Sequence, residues 1–345
     1  MKRQIRGLLY VFLMIGLMIL AVIGVIGYRI LYWPNFHPSE IKYVYIREDS
    51  KDFQALCETL RDSTGCKNIK SFELLAAFRK YPENMKSGKY AVEPKMNNNA
   101  LLDKLRRGQQ TPVRLTFNNV RLIGDLMERL ADQLMIDSDD LLSLIGNETY
   151  CKSLGFDLLS VKAMFIPNTY EVYWNISAEK LIERMKREYK LFWNDERRTK
   201  AENIGLSPIE VSILASILEE ESALADEYPI IAGLYINRLH RGMLLQADPT
   251  IKYALGDFTL QRILNIHLQV DSPYNTYMYT GLPPSPIRIP SIKGMDAVLD
   301  YTHHNYLYMC AKDDSSGRHN FAVTLAEHNR NAARYHTELN KRGIR

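Results

Sequence analysis

The chain has 345 residues, 46% hydrophobic and 24% charged, enough for two globular domains once a membrane anchor is set aside. Its net charge of +4 comes from dispersed lysines and arginines with no dense basic run, which argues against a nucleic-acid-binding protein. No internal repeat or low-complexity tract is present.

From Gly7 to Tyr28 there is no charged residue, and Leu, Ile, Met and Val dominate. About 20 such residues cross a bilayer core. A cleaved signal has an apolar region of about 7–15 residues and a small-x-small exit site, and no convincing site follows Ala21, so the span is expected to be retained. Lys2, Arg3 and Arg6 precede it, Arg29 alone directly follows, and Tyr28, Tyr32 and Trp33 suit the far interface. Residues 1–6 are therefore expected inside, 7–28 across the membrane, 29–40 as a tether and the bulk outside. Of the four cysteines, Cys57 and Cys66 are near enough in sequence to pair in an exported body, with free buried thiols the alternative. Their spacings fit no zinc site.

The alternation in 42–46 predicts an edge strand that opens a small α/β domain, residues 41–110. Helices are expected over 53–60, 71–79 and 99–107, the last ended by Gly108, with a strand over 88–92. A larger α+β domain, 111–345, begins with a strand over 113–117 and a helix over 122–134. Phe165 to Tyr170, continued by Tyr173 and Trp174, is crowded with aromatics and reads either as a sugar-stacking surface or as core. A helix over 178–193 capped by Ser177 follows, then a polar stretch, 194–206.

The next helix is the most informative. Ser207, Pro208 and Glu210 form a capping-box start, which fixes its phase. At about 100° per residue, Val211, Leu214, Ile217 and Leu218 make one stripe and Glu221 falls within roughly 20° of Leu214. Glu219 lies on the far side, about 140° away, and Glu220 at the edge of the stripe, about 120° away, so those two can be solvated. A carboxyl held against Leu and Ile, beside two other acids, has its charged form disfavoured and can serve as a general acid. The bland alternative is a frayed helix end with all three glutamates hydrated. Beyond it lie a helix over 230–239, a loop at 245–250 whose Asp248-Pro249 reads as a turn, proline-fixed loops at 274–277 and 281–287, a strand at 307–309 and a helix over 325–340.

Several of these segments stand in the order found in one family. Ala215-Ser216-Ile217-Leu218-Glu219-Glu220-Glu221, Ile236-Asn237-Arg238-Leu239, Leu245-Gln246-Ala247-Asp248-Pro249-Thr250, Tyr274-Asn275-Thr276-Tyr277, Gly281-Leu282-Pro283-Pro284 and His328-Asn329 resemble the endolytic murein transglycosylases, the YceG-like family. The resemblance covers nearly the whole chain and is strongest over 205–330. It implies a LysM-like small domain, a mixed α+β catalytic domain and an anchor in the bacterial inner membrane. It also implies Glu221 as catalytic acid/base and Gln246, Asp248, Asn275 and Tyr277 as substrate contacts. Glu219, His319 and His328 would play supporting parts, and no metal or cofactor is required. The implied partners are peptidoglycan strands and the synthases that make them.

The implied reaction cleaves the MurNAc-β-1,4-GlcNAc bond without water. Three departures stand out. Glu220 occupies a position where the family usually has lysine, which should raise the Glu221 pKa further. Lys162, Ala163 and Asn168 replace a frequent Glu-Gly and Asp, and Ser285 and Ser291 replace frequent glycines. Two rival readings are a muramidase that uses Asp248 or Glu219 as a second carboxylate and a non-catalytic wall-binding scaffold.

Overall fold

The computed structural model describes residues 2–260, 262–314 and 316–341, with the side chains of 2–6, 336 and 339–341 undescribed. The expected basic cluster Lys2, Arg3 and Arg6 and the ends of the chain at 1 and 342–345 lie outside what is described. The fold is mixed α+β and divides into two compact units. Unit 1 comprises 1–114 with 133–135 and 171–176; unit 2 comprises the remainder.

Unit 1 begins with α1 (Lys2–Tyr32), in which Gly7–Tyr32 is apolar enough to cross a membrane, at a mean hydropathy of 2.9. This fits a single-pass anchor. Strand β1 (Pro34–Phe36) follows, then β2 (Lys42–Ile46), α2 (Phe53–Ser63), α3 (Ile69–Phe78), β3 (Gly88–Val92), β4 (Met96–Asn97) and α4 (Asn98–Arg107). β2 and β3 pair antiparallel from Lys42↔Val92 to Ile46↔Gly88. Their inward residues Val44, Ile46, Tyr90 and Val92 close a core with Phe36, Phe72, Leu60 and Leu101. Gly108 takes the left-handed conformation that ends α4, as a helix C-terminus favours.

The segment expected as a tether is structured. The helix runs on to Tyr32, β1 pairs with β4, and Asn35 and Phe36 are buried. Asn98, at the start of α4, donates to the Ile30 carbonyl at 2.9 Å and so holds the end of α1. All four cysteines are free, and the Cys57–Cys66 pairing does not form: Cys57 lies on the buried face of α2, and burial pushes its thiol up to about 12.

The remaining elements are β5 (Val113–Phe117), α5 (Ile123–Ala131), α6 (Ser138–Ile145), α7 (Glu148–Leu154), β6 (Asn168–Val172), α8 (Ala178–Phe192), α9 (Asp195–Ile204), α10 (Pro208–Glu221), α11 (Tyr228–His240), α12 (Asp248–Leu255), α13 (Ile292–Leu299), β7 (Tyr308–Ala311), β8 (His319–Ala322) and α14 (Leu325–Lys341). The polar stretch 194–206 is helix α9, capped by Asn194 and ended by left-handed Gly205. Asp248-Pro249 opens α12 rather than forming a free turn, with the proline in the first helical turn where its missing N–H costs nothing. Phe165 and Tyr170 are core residues while Tyr173 is exposed. The pair β7–β8 runs antiparallel from Tyr308↔Ala322 to Ala311↔His319.

Helix α10 is the axle of unit 2. Both halves of its capping box form, and every residue from Val211 to Glu219 is buried, between α9, α11, α12 and α13. A helix covered on all sides has no solvent face, and this decides the fate of its acidic end.

Candidate active site

Glu221 is the last residue of α10; at Ser222 the chain turns extended, and its N–H closes the helix on the Leu218 carbonyl. The Glu221 carboxyl enters a polar cavity of about 260 Å³, lined also by Tyr235 and Arg238 of α11, Gln246, Asp248, Tyr277, Met309, Cys310 and His319. Tyr235 Oη donates to Glu221 Oε1 at 2.7 Å. Burial pushes the Glu221 carboxyl from an ordinary 4.5 up to about 7. The Tyr235 bond and the charges of Lys252 and Arg238 oppose that rise, and the Asp248 charge adds to it. Burial likewise holds the Tyr235 hydroxyl well above its ordinary range, so it remains a donor.

Arg238 frames the cavity. Its Nε donates to the Leu307 carbonyl at 2.6 Å, and its Nη1 to the carbonyls of Leu244 and Leu245, each at 3.0 Å, and to Gln246 Oε1 at 3.2 Å. Gln246 has a φ of +50°, a left-handed backbone unusual outside glycine, fixed by its N–H bond to the Thr276 carbonyl. Asp248 accepts from Tyr277 Oη. Burial, followed by that bond and the Asp248 charge, keeps the Tyr277 phenol protonated.

Thus Glu221, Gln246, Asp248, Tyr277 and His319 face one cavity. Asn275 does not. It is wholly buried, its amide donates to the carbonyls of Leu268 (2.9 Å) and Val270 (2.8 Å), and its Oδ1 accepts the Tyr277 N–H. With those bonds made, Asn275 shapes the loop that presents Tyr277 and does not reach the cavity itself.

The comparisons with known proteins agree with the sequence motifs. A model of the YceG-like family matches residues 44–334. The chain belongs to that family. It is 26% identical to an endolytic murein transglycosylase of Bacillus subtilis, over 84% of this chain and 83% of that one. It is also 26% identical to an endolytic murein transglycosylase of Streptococcus pneumoniae, over 85% of this chain and only 58% of the relative's length. The crystal structure of a YceG-like protein from Listeria monocytogenes superposes with a TM-score of 0.57 at 26% identity, covering 84% of this chain and 98% of that one.

Two acids of the YceG-like motif sit differently from the helical-phase expectation. Glu219 is not in solvent: its side chain is 2% exposed, and Oε1 accepts from the Ser291 N–H at 2.9 Å and from the Ser291 hydroxyl. It thereby ties α10 to the start of α13. Ser291, where a glycine is frequent, supplies that hydroxyl. Glu220 is ion-paired with Arg121 at 2.8 Å and Arg288 at 3.0 Å. Its charge is taken up there, and what raises Glu221 is burial, with the Asp248 charge adding to it.

His328 stacks on Tyr308 outside the cavity lining, its ring centroid 5.5 Å away. Lys162 is buried and donates to Tyr253 Oη (2.9 Å) and the Pro286 carbonyl (3.0 Å), and burial lowers its amine to about 8. Sequence reasoning assigned no site role to Tyr235, Arg238 or Glu227. A tyrosine inside the apolar run of α11 was the available signal, because a buried phenol needs a partner.

Proposed function

We propose that this chain is an endolytic peptidoglycan lytic transglycosylase. It cleaves the MurNAc-β-1,4-GlcNAc bond within glycan strands and leaves 1,6-anhydro-MurNAc ends. The observation that carries the reading is the Glu221 carboxyl, protonated up to about pH 7 by burial and oriented by Tyr235 in a polar cavity. Such a group can protonate the leaving oxygen; as carboxylate it can then accept the proton of the muramoyl 6-hydroxyl while that oxygen closes on C1. One carboxyl can therefore suffice, where hydrolysis normally takes two. Gln246, Asp248 and Tyr277 are proposed to hold the sugar, because their polar groups face the same space.

Residues 41–110 are proposed as a LysM-like module and 111–345 as the catalytic domain. The apolar helix supports a single-pass anchor in the bacterial inner membrane, N-terminus inside and catalytic domain outside. In that position the enzyme would end nascent strands beside the peptidoglycan synthases. Asp248 favours one competing reading, since a second carboxylate in the cavity is what a muramidase needs. Mass spectrometry of fragments released from purified peptidoglycan, with the detergent-solubilised chain beside Glu221→Gln, tests both. Anhydro ends from the unaltered protein alone are expected. Reducing ends would establish hydrolysis, and no fragments from a folded sample would leave the scaffold reading.

A further inference from the structure

His319 and Glu227 form a pair that the single-carboxylate cycle does not use. Glu227 is buried at the entrance to α11, and the described hydrogen bonds of its carboxylate come from two residues, His319 and Ser222. The His319 N–H donates to Oε1 at 3.0 Å, the His319 ring joins Oε2 through Nδ1 at 2.9 Å, and Ser222 Oγ donates to Oε2 at 3.2 Å. Ser222 directly follows Glu221. One buried carboxylate therefore fixes the imidazole relative to the turn that carries the acid.

The bond through Nδ1 also selects the tautomer. When neutral, a ring that donates Nδ1–H to a carboxylate presents Nε2 as a bare acceptor. His319 lines the same cavity as Glu221, and among the described residues its Nε2 has no hydrogen-bond partner.

We propose that His319, oriented by Glu227, is the group that accepts the proton of the attacking sugar hydroxyl. This rests on the transglycosylase reading but replaces the second role given there to Glu221, which on this account acts as the acid only. Glu221 gives its proton to the leaving O4 as the C1–O4 bond breaks. The muramoyl O6 forms its bond to C1 and passes its proton to Nε2, and solvent then returns that proton to Glu221. His319 is a catalytic residue on this account and Glu227 a positioning residue.

The test uses the full chain in detergent and follows anhydro-ended fragments by mass spectrometry. A general base is worth about 10²–10⁴ in rate. His319→Gln, which keeps hydrogen bonding but not proton transfer, is expected to lower kcat at least about 100-fold with KM little changed. His319→Ala is expected to lose as much and to recover part of it on addition of imidazole. Glu227→Gln is expected to lower kcat about tenfold, also at nearly constant KM. Unchanged turnover in His319→Gln would overturn the proposal, as would a loss in His319→Ala that imidazole does not restore or a loss confined to KM. If the unaltered protein forms no anhydro ends, the transglycosylase reading itself has failed; if it forms them and His319→Gln does so equally fast, only this inference has.

Discussion

Replacing Glu221 with glutamine should stabilise the protein, and by an amount that depends on pH. Burial raises the carboxyl from 4.5 in the unfolded chain to about 7 in the folded one. Between those values the folded state binds the extra proton, so stability falls as pH rises. The contribution is complete below 4.5 and gone above about 7. At about 1.36 kcal/mol per unit, the difference amounts to about 3 kcal/mol of strain held by the ionised enzyme. Glutamine is nearly isosteric, accepts the Tyr235 hydroxyl as the carboxylate does, and cannot ionise. Thermal unfolding of the two proteins should give similar midpoints near pH 4.5. The gap should widen through pH 7 to a plateau, with the variant higher by roughly 5–10 °C for a domain of this size. Equal midpoints at pH 8, or a gap independent of pH, would refute the claim that the fold holds this carboxyl in an unfavourable environment.

Three further outcomes are expected. Tyr235→Phe removes a donor that favours the ionised form, so the alkaline limb of the pH–rate profile should move up by about one unit, since hydrogen bonds to charged groups are worth about 1.5–3 kcal/mol; a limb that stays or moves down counts against Tyr235 as the tuning group. Asn275→Ala strands two carbonyls and one N–H, and should cost about 2–4 kcal/mol in thermal or denaturant unfolding and raise KM more than it lowers kcat. Gly294→Ala drives a methyl against Glu219 Oε1, so the variant should lose about 1–3 kcal/mol, and a melting temperature equal to that of the unaltered chain would show that Glu219 is free to move.

Local chemistry was readable where a residue acts on its own neighbours. The capping box of Ser207 and Glu210, the Ser177 cap and the Gly108 terminus all form where the spacing places them. The strands over 42–46 and 88–92 appear at their expected limits. Helix α9 escaped because its residues make no apolar stripe, although Asn194 and Gly205 mark both ends. Glu219 was misplaced for a deeper reason. Phase arguments assume one solvent face, and α10 has none. Asn275 bonds to backbone carbonyls, which leave no trace in side-chain identity. Glu227 and His319 meet across 92 residues, a distance that no local pattern spans.

The clamp of Asn98 on the Ile30 carbonyl bears on how the protein works at a surface. Ile30 and Leu31 pack on the core of unit 1, and the chain passes from helix to strand through Trp33 alone. The span is thus a post rather than a leash. Set in a bilayer, such a post would fix the height of unit 1 above the lipid and restrict its turning, leaving little play in the polypeptide between span and unit. Truncation just before Pro34 would take the post away and open the floor of the core it stands on.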